Sequence, residues 1–77
     1  MNRERRKELA SAMEKLDEVI NLLQHIAEDE QCAFDNLPEG IQESERGERM
    51  QEFADMISDV ASTLEEQNLE LEEIVNS

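Results

Sequence analysis

The stretch Leu37-Pro38-Glu39-Gly40-Ile41-Gln42-Glu43-Ser44 lies at the middle of the sequence and holds two of its three helix breakers. Pro38 disfavours helical backbone at Leu37, and Gly40 tolerates a positive φ. Ser44 is a residue type that caps the N-terminus of a following helix. The third breaker, Gly47, lies just downstream. The stretch therefore predicts that one long helix ends here and a second begins.

Upstream of this stretch, apolar residues recur at alternating steps of four and three, which are the a and d positions of a heptad. Glu30 is the only charged residue in the stripe. The g positions are apolar as well, so each heptad has three apolar positions, more than a two-stranded coiled coil needs. The a and d residues are Leu9, Met13, Leu16, Ile20, Leu23, Ala27, Glu30, Phe34 and Leu37, and the g residues are Ala12, Val19, Ile26 and Ala33.

The downstream half repeats this pattern, with Gln67 as its polar exception. The predicted inward stripe is Met50, Phe53, Ile57, Val60, Leu64, Gln67, Leu71 and Ile74, and it is widened by Ala54, Met56, Ala61 and Val75. A stripe of this width on each helix needs cover from more than one neighbour.

These patterns predict an all-α fold: a single domain over residues 1–77, built as an antiparallel helical hairpin. Helix one is expected over about 3–36, the connection over about 37–43 and helix two over about 44–76. Because one hairpin cannot cover both wide stripes, we expect two copies to dimerise into a four-helix bundle. The expected centre consists of Leu16, Ile20, Leu23, Ile57, Val60 and Leu64.

Antiparallel helices joined at this connection place residues opposite each other when their numbers add up to roughly 80. Glu30 should then lie near Arg46 and Arg49. The same register predicts that a basic run near the N-terminus pairs with an acidic tail. The run is Arg3, Arg5, Arg6 and Lys7, and the tail contains Glu66, Glu70, Glu72 and Glu73.

The chain is strongly acidic, with 7 Lys+Arg against 21 Asp+Glu among 77 residues and a formal net charge of −14. Such a chain repels a polyanion, so we expect no direct binding to nucleic acid and a better fit to basic partners. The single cysteine, Cys32, fits a reducing cytoplasm. The sequence has no apolar run of about 20 residues, so no membrane partner is expected.

No pattern of residues predicts a catalytic site, a cofactor or a metal. His25 lies at an outward f position with Leu22, not Glu, three residues before it, so the Glu-x-x-His pair of dimetal bundles is missing. Glu14 to Asp17 and Glu52 to Asp55 superficially resemble the E-x-x-D pairs of all-α nucleotide pyrophosphohydrolases. In the predicted register these carboxylates do not share an inward face, and we expect a protein that is not an enzyme.

The acidic surface is the strongest candidate for binding a partner. Residues 16–77 hold 18 acidic residues, and Arg46 and Arg49 are the only basic ones. We predict that Glu52, Asp55 and Asp59 contact a basic protein, and that Arg46 and Arg49 serve if the loop end binds an acidic group. The surface could imitate a nucleic-acid backbone in a basic cleft. Alternatively, it could keep a structural assembly module soluble.

The segment Asp35-Asn36-Leu37-Pro38-Glu39-Gly40, followed by Ser44-Glu45-Arg46-Gly47-Glu48, resembles that of a group of short acidic proteins encoded by phages and mobile elements of Gram-positive bacteria. The resemblance covers nearly the whole chain and implies no catalytic residues. It implies a mobile-element setting in the cytoplasm of a bacterial host. Many small acidic phage proteins bind and block host proteins, so an inhibitor of a host defence protein is the function that this resemblance favours.

Overall fold

The protein contains three helices and no strand in a computed structural model that describes all 77 residues. Helix α1 spans Arg3–Asp35, the short α2 spans Glu39–Gln42, and α3 spans Glu45–Asn76. α1 and α3 lie side by side along a rod of 58 × 14 × 13 Å. The predicted all-helical class is confirmed.

The connection differs in two respects from the sequence-based expectation. It contains α2, one short turn of helix that the sequence pattern did not predict. Gly40 lies in α2 and has no positive φ, so the proposed need for glycine backbone freedom there is wrong. A single turn of helix reverses the chain with ordinary backbone angles, because Pro38 supplies the φ of about −60° that starts it.

Side chains near the connection satisfy the exposed ends of the long helices. The side chain of Ser44 accepts a hydrogen bond from the Gly47 N–H at 3.4 Å, as its predicted capping role requires. Gln42 Nε2 donates to the carbonyl oxygens of Phe34 at 3.1 Å and Asp35 at 3.3 Å. These carbonyl oxygens belong to the last turn of α1, where no N–H group of the same helix is left to donate to them. The connection therefore closes both helix ends.

Gly47 is buried in the first turn of α3, where the backbone of the connection passes directly over it. A Cβ atom built on Gly47 would lie 2.5 Å from the carbonyl oxygen of Ile41, and closer still to that of Gln42. These neighbours are backbone atoms, so they cannot move aside as a flexible side chain would. A glycine within this helix predicts that another part of the chain lies close to it. That part is the backbone of the connection at Ile41 and Gln42.

We expect Gly47→Ala to lower the free energy of unfolding by about 1–3 kcal/mol, although alanine is the better helix former. The control is Gly40→Ala, where a Cβ meets no atom within 4 Å and should stabilise the protein by about 0.4–1 kcal/mol. Thermal and urea unfolding followed by circular dichroism measures both. Equal effects of the two substitutions would contradict the close approach.

Two polar contacts between α1 and α3 fix their register. The side-chain amides of Gln31 and Gln51 exchange hydrogen bonds of 3.0 and 2.6 Å. Near the other end, Asn68 Nδ2 donates to Asp17 Oδ1 at 2.8 Å and to the Met13 carbonyl oxygen at 3.3 Å. The helices thus run in opposite directions, with paired residue numbers adding up to slightly more than the predicted 80.

The inward stripe of α1 matches the prediction. Its a and d residues are all buried or half-buried, and its g residues are all exposed. α3 is rotated relative to the prediction: Met50, Ile57, Leu64 and Leu71 face α1 as expected, but the other four predicted residues do not. Phe53, Val60, Gln67 and Ile74 are exposed, and their successors Ala54, Ala61, Asn68 and Val75 take the inward positions.

Small residues explain this rotation. The buried apolar residues are Ile20, Ala27, Ala54 and Ala61, so three of the four are alanines, and Gly47 lies in line with the last two. Alanine and glycine let two helix backbones approach closely, at the short end of the usual 8–10 Å interaxial range. Phe53 and Val60 would hold the helices apart. We call Ala27, Gly47, Ala54 and Ala61 the alanine seam.

The seam predicts that Ala61→Leu lowers the free energy of unfolding by about 1–3 kcal/mol, because Ala61 is 0% exposed and the added atoms have no room. The neighbouring Ser62→Leu is the matched control, since Ser62 is exposed and should change stability by less than about 0.5 kcal/mol. Urea unfolding compares the two variants. A tolerated leucine at Ala61 would show that the rotation of α3 is wrong.

Candidate interaction surfaces

One long side of the helix pair is apolar. Six large residues cluster there near the middle of the rod, each between 42% and 58% exposed. Val19 and Val60 lie at about the same height on the two helices, as do Ile26 and Phe53, while Leu22 and Met56 adjoin them on the outer side. We call this set the apolar face: Val19, Leu22, Ile26, Phe53, Met56 and Val60.

The opposite side of the pair is polar. The hydrogen-bonded Gln31 and Gln51 lie here, and Gln51 Nε2 also donates to Asp55 Oδ1 at 3.1 Å. Gln24, Glu28 and Ser58 line an open hollow beside them. Towards the chain termini a second hollow is lined by four carboxylates, two asparagines and four apolar residues, of which Leu69 is the most exposed. The two long sides of the same helix pair therefore have opposite chemistry.

The side of α3 directed away from α1 carries a row of carboxylates. Every seventh residue is acidic and exposed, which places these groups on one line at spacings of about 10 Å. We call Glu45, Glu52, Asp59, Glu66 and Glu73 the acidic ridge. Glu52 and Asp59, two of the predicted binding residues, are neighbours on this ridge. Asp55 is not on it, because three residues separate it from Glu52 and turn it toward the polar side, where it accepts a hydrogen bond from Gln51.

Arg46 and Arg49 lie at the loop end of the rod, beside the apolar face. They line an open hollow together with Glu30, Glu45, Met50 and Phe53. Glu30 thus lies near both arginines, as the register predicted, but its carboxylate is not within 4.0 Å of either and forms no ion pair. Arg49 Nη2 instead contacts Glu45 Oε1 at 3.3 Å, one turn away on its own helix. Arg46 makes no ion pair.

The predicted pairing of the basic run with the acidic tail is wrong at the level of direct contacts. No ion pair within 4.0 Å joins Arg3, Arg5, Arg6 or Lys7 to a residue of α3. Successive residues are spread around a helix at 3.6 per turn, so four basic residues within a run of five cannot all face one neighbour. Only Arg6 is partly covered.

The structure shows no cluster of three or more His, Cys, Asp or Glu side chains that could hold a metal ion. His25 and Cys32 are exposed. His25 Nε2 lies 3.3 Å from Asp29 Oδ2 on the same helix. None of the helices combines the length and apolar character that a membrane span needs.

Comparison with known proteins adds no assignment. No family model matches the chain, and no curated protein or solved structure shows significant similarity to it. A function for this protein therefore has to be inferred from its surfaces.

The sequence pattern located the acidic surface and part of the apolar face, since it named Val19, Ile26 and Met56 as residues that need further cover. It assigned Phe53 and Val60 to the inside and gave Leu22 no role. The signal was present in the pattern of small residues: Ala54, Ala61 and Asn68 follow Gly47 at exact seven-residue steps. That series indicates a closely packed seam, which would have directed the larger neighbouring residues outward.

The distribution of charge predicts a salt effect on stability. The only ion pair between an arginine or lysine and a carboxylate is the exposed contact of Arg49 with Glu45 within α3, and such a pair contributes little. Repulsion among the excess carboxylates should therefore dominate. We expect a higher melting temperature in 0.5 M than in 0.02 M NaCl, because the Debye length falls to about 4 Å. Calorimetry measures this, and a lower melting temperature at high salt would contradict it.

Proposed function

We propose that this protein is a non-enzymatic protein-binding module that captures a basic protein through the acidic ridge of α3. The observation that carries the proposal is the ridge itself: five exposed carboxylates on one line, with Glu52 and Asp59 at its centre. A row of negative charges on a rigid rod resembles the charge pattern of a nucleic-acid backbone. It complements a basic cleft and speeds encounter with it.

In its most specific form, the proposal is that the module comes from a phage or mobile element and blocks a host protein in the bacterial cytoplasm. A captured DNA-binding protein or nuclease would lose access to DNA while its basic cleft is occupied. This form rests on the resemblance of the connecting segment, and the ridge supplies a physical means of inhibition. The competing candidate is an assembly scaffold, which the apolar face favours.

We also propose that the module acts as a homodimer, in which two antiparallel helical hairpins form a four-helix bundle. Only six of the 77 residues are buried in one chain, and four of those are apolar. A helix pair with so small a core is expected to need further cover for stability. Sedimentation equilibrium should give about 17.8 kDa, twice the 8.9 kDa of one chain. A folded 8.9 kDa monomer at micromolar concentration would refute the dimer.

Capture from a bacterial lysate tests the ridge when two variants of equal charge are compared. One carries Glu52→Gln, Asp59→Asn and Glu66→Gln on the ridge of α3. The control carries Glu14→Gln, Glu18→Gln and Glu28→Gln, which remove the same charge from exposed positions of α1. A ridge-specific partner should elute with salt, be lost by the α3 variant and be retained by the control.

The captured protein is then purified and tested for binding to duplex DNA with and without this protein. The proposal expects stoichiometric loss of DNA binding. Equal capture by both variants would show that the ridge is not the recognition surface. Recovery of this chain alone would favour the scaffold. Turnover of a nucleoside triphosphate with magnesium that is abolished by Glu52→Gln would overturn both in favour of an enzyme.

A further inference from the structure

The apolar face lies in a wider region that differs in charge from the rest of the molecule. Two rows of residues at seven-residue steps flank the alanine seam on this side, and neither row contains a carboxylate. They are Arg5, Ala12, Val19, Ile26 and Ala33 of α1, with Arg46, Phe53, Val60, Gln67 and Ile74 of α3. In a chain with 21 acidic residues, this is the side on which a highly charged molecule can be approached without repulsion between carboxylates.

The equivalent rows on the polar side show that the difference does not follow from helix packing alone. They contain Asp17, Glu65 and Glu72 together with the hydrogen-bonded glutamines, and Ala10 is their only apolar residue. Both sides flank the same seam, but the apolar-side rows are exposed throughout, whereas Gln24, Gln31 and Gln51 on the polar side are half-buried. The apolar residues are thus concentrated on one side, as expected for a surface that is covered in the functional state.

We infer that a second copy of this chain covers the apolar face, and that the four-helix bundle forms through this side and not through the polar side. The inference deepens the proposed function and rests on its dimeric assembly. The rod is 58 Å long, so a second copy of the same length can lie along the whole of this side, as an interface of standard size with about 800 Å² from each partner requires.

Charge favours a second copy over a different acidic or lipid partner. Joining two copies through the polar side would bring Asp17, Glu65 and Glu72 of one copy against those of the other. Joining them through the apolar side brings together rows whose only charges are two arginines per copy. It also leaves both acidic ridges outermost on the bundle, because each ridge points away from its own α1. Anionic lipid surfaces would be repelled by those ridges.

A matched pair of substitutions tests which side pairs. Val60→Glu places a charge in the centre of the apolar face, and Leu69→Glu places the same charge on the other side of α3, at a residue that is 59% exposed. Sedimentation equilibrium at micromolar concentration should give a monomer or a loss of dimer affinity of at least about 100-fold for Val60→Glu. Leu69→Glu should remain a dimer, and the opposite result would overturn the inference.

Thiol labelling keeps the test decisive if Val60→Glu fails to fold. In a Cys32→Ser background, a single cysteine is placed by Val60→Cys or by Leu69→Cys, and its reaction with a disulfide reagent is timed from low to high micromolar protein. The rate at position 60 should fall about tenfold as the dimer fills, and the rate at position 69 should stay constant. A constant rate at position 60 in a protein that sediments as a dimer would refute the apolar face as the interface while leaving the dimer intact.

Loss of capture by the ridge variant is measured separately, so failure of ridge binding and failure of this interface are distinguishable.

Discussion

Close contact between small residues determines the arrangement of this protein. Ala27, Ala54 and Ala61 are buried where α1 meets α3, and Gly47 lets the connection pass over the start of α3. At the seam positions themselves a large side chain has no room, so Phe53 and Val60 lie beside the seam, while Ile57 and Leu64 still face α1. The orientation of every other residue of α3, including the acidic ridge, follows from that rotation.

The polar contacts have a different role from the seam. Asn68 is buried and donates to Asp17 and to a backbone carbonyl of α1, and a buried amide that must keep its partners opposes sliding of one helix along the other. The glutamine pair acts in the same way at the loop end. Small residues thus set how closely the helices approach, and these amides set their register. Together they leave one side apolar and one side polar, which is the asymmetry behind the proposed bundle and the proposed ridge.

Much of this architecture could be predicted from sequence because heptad spacing, breakers and caps are local signals. The inward stripe of α1 and the cap at Ser44 follow from them. The rotation of α3 could not be found in this way, because ranking positions by hydrophobicity places Phe53 and Val60 inside ahead of two alanines. The register correctly placed Glu30 near Arg46 and Arg49, yet no ion pair forms. The attraction between exposed charges is too weak for proximity alone to hold two side chains in contact. Of the predicted binding residues, Glu52 and Asp59 are seven residues apart and share a ridge, whereas Asp55 is rotated off it by the same helical spacing.

The most direct test of the account is an isotope-filtered NMR experiment on an equal mixture of labelled and unlabelled chains. The methyl group of Ala61 should show contacts to α1 within its own chain and none to another copy. The methyl groups of Val60 should show contacts to a second chain. Contacts from Val60 to α1 of the same chain, with Ala61 open to solvent, would contradict the alanine seam and the surfaces derived from it.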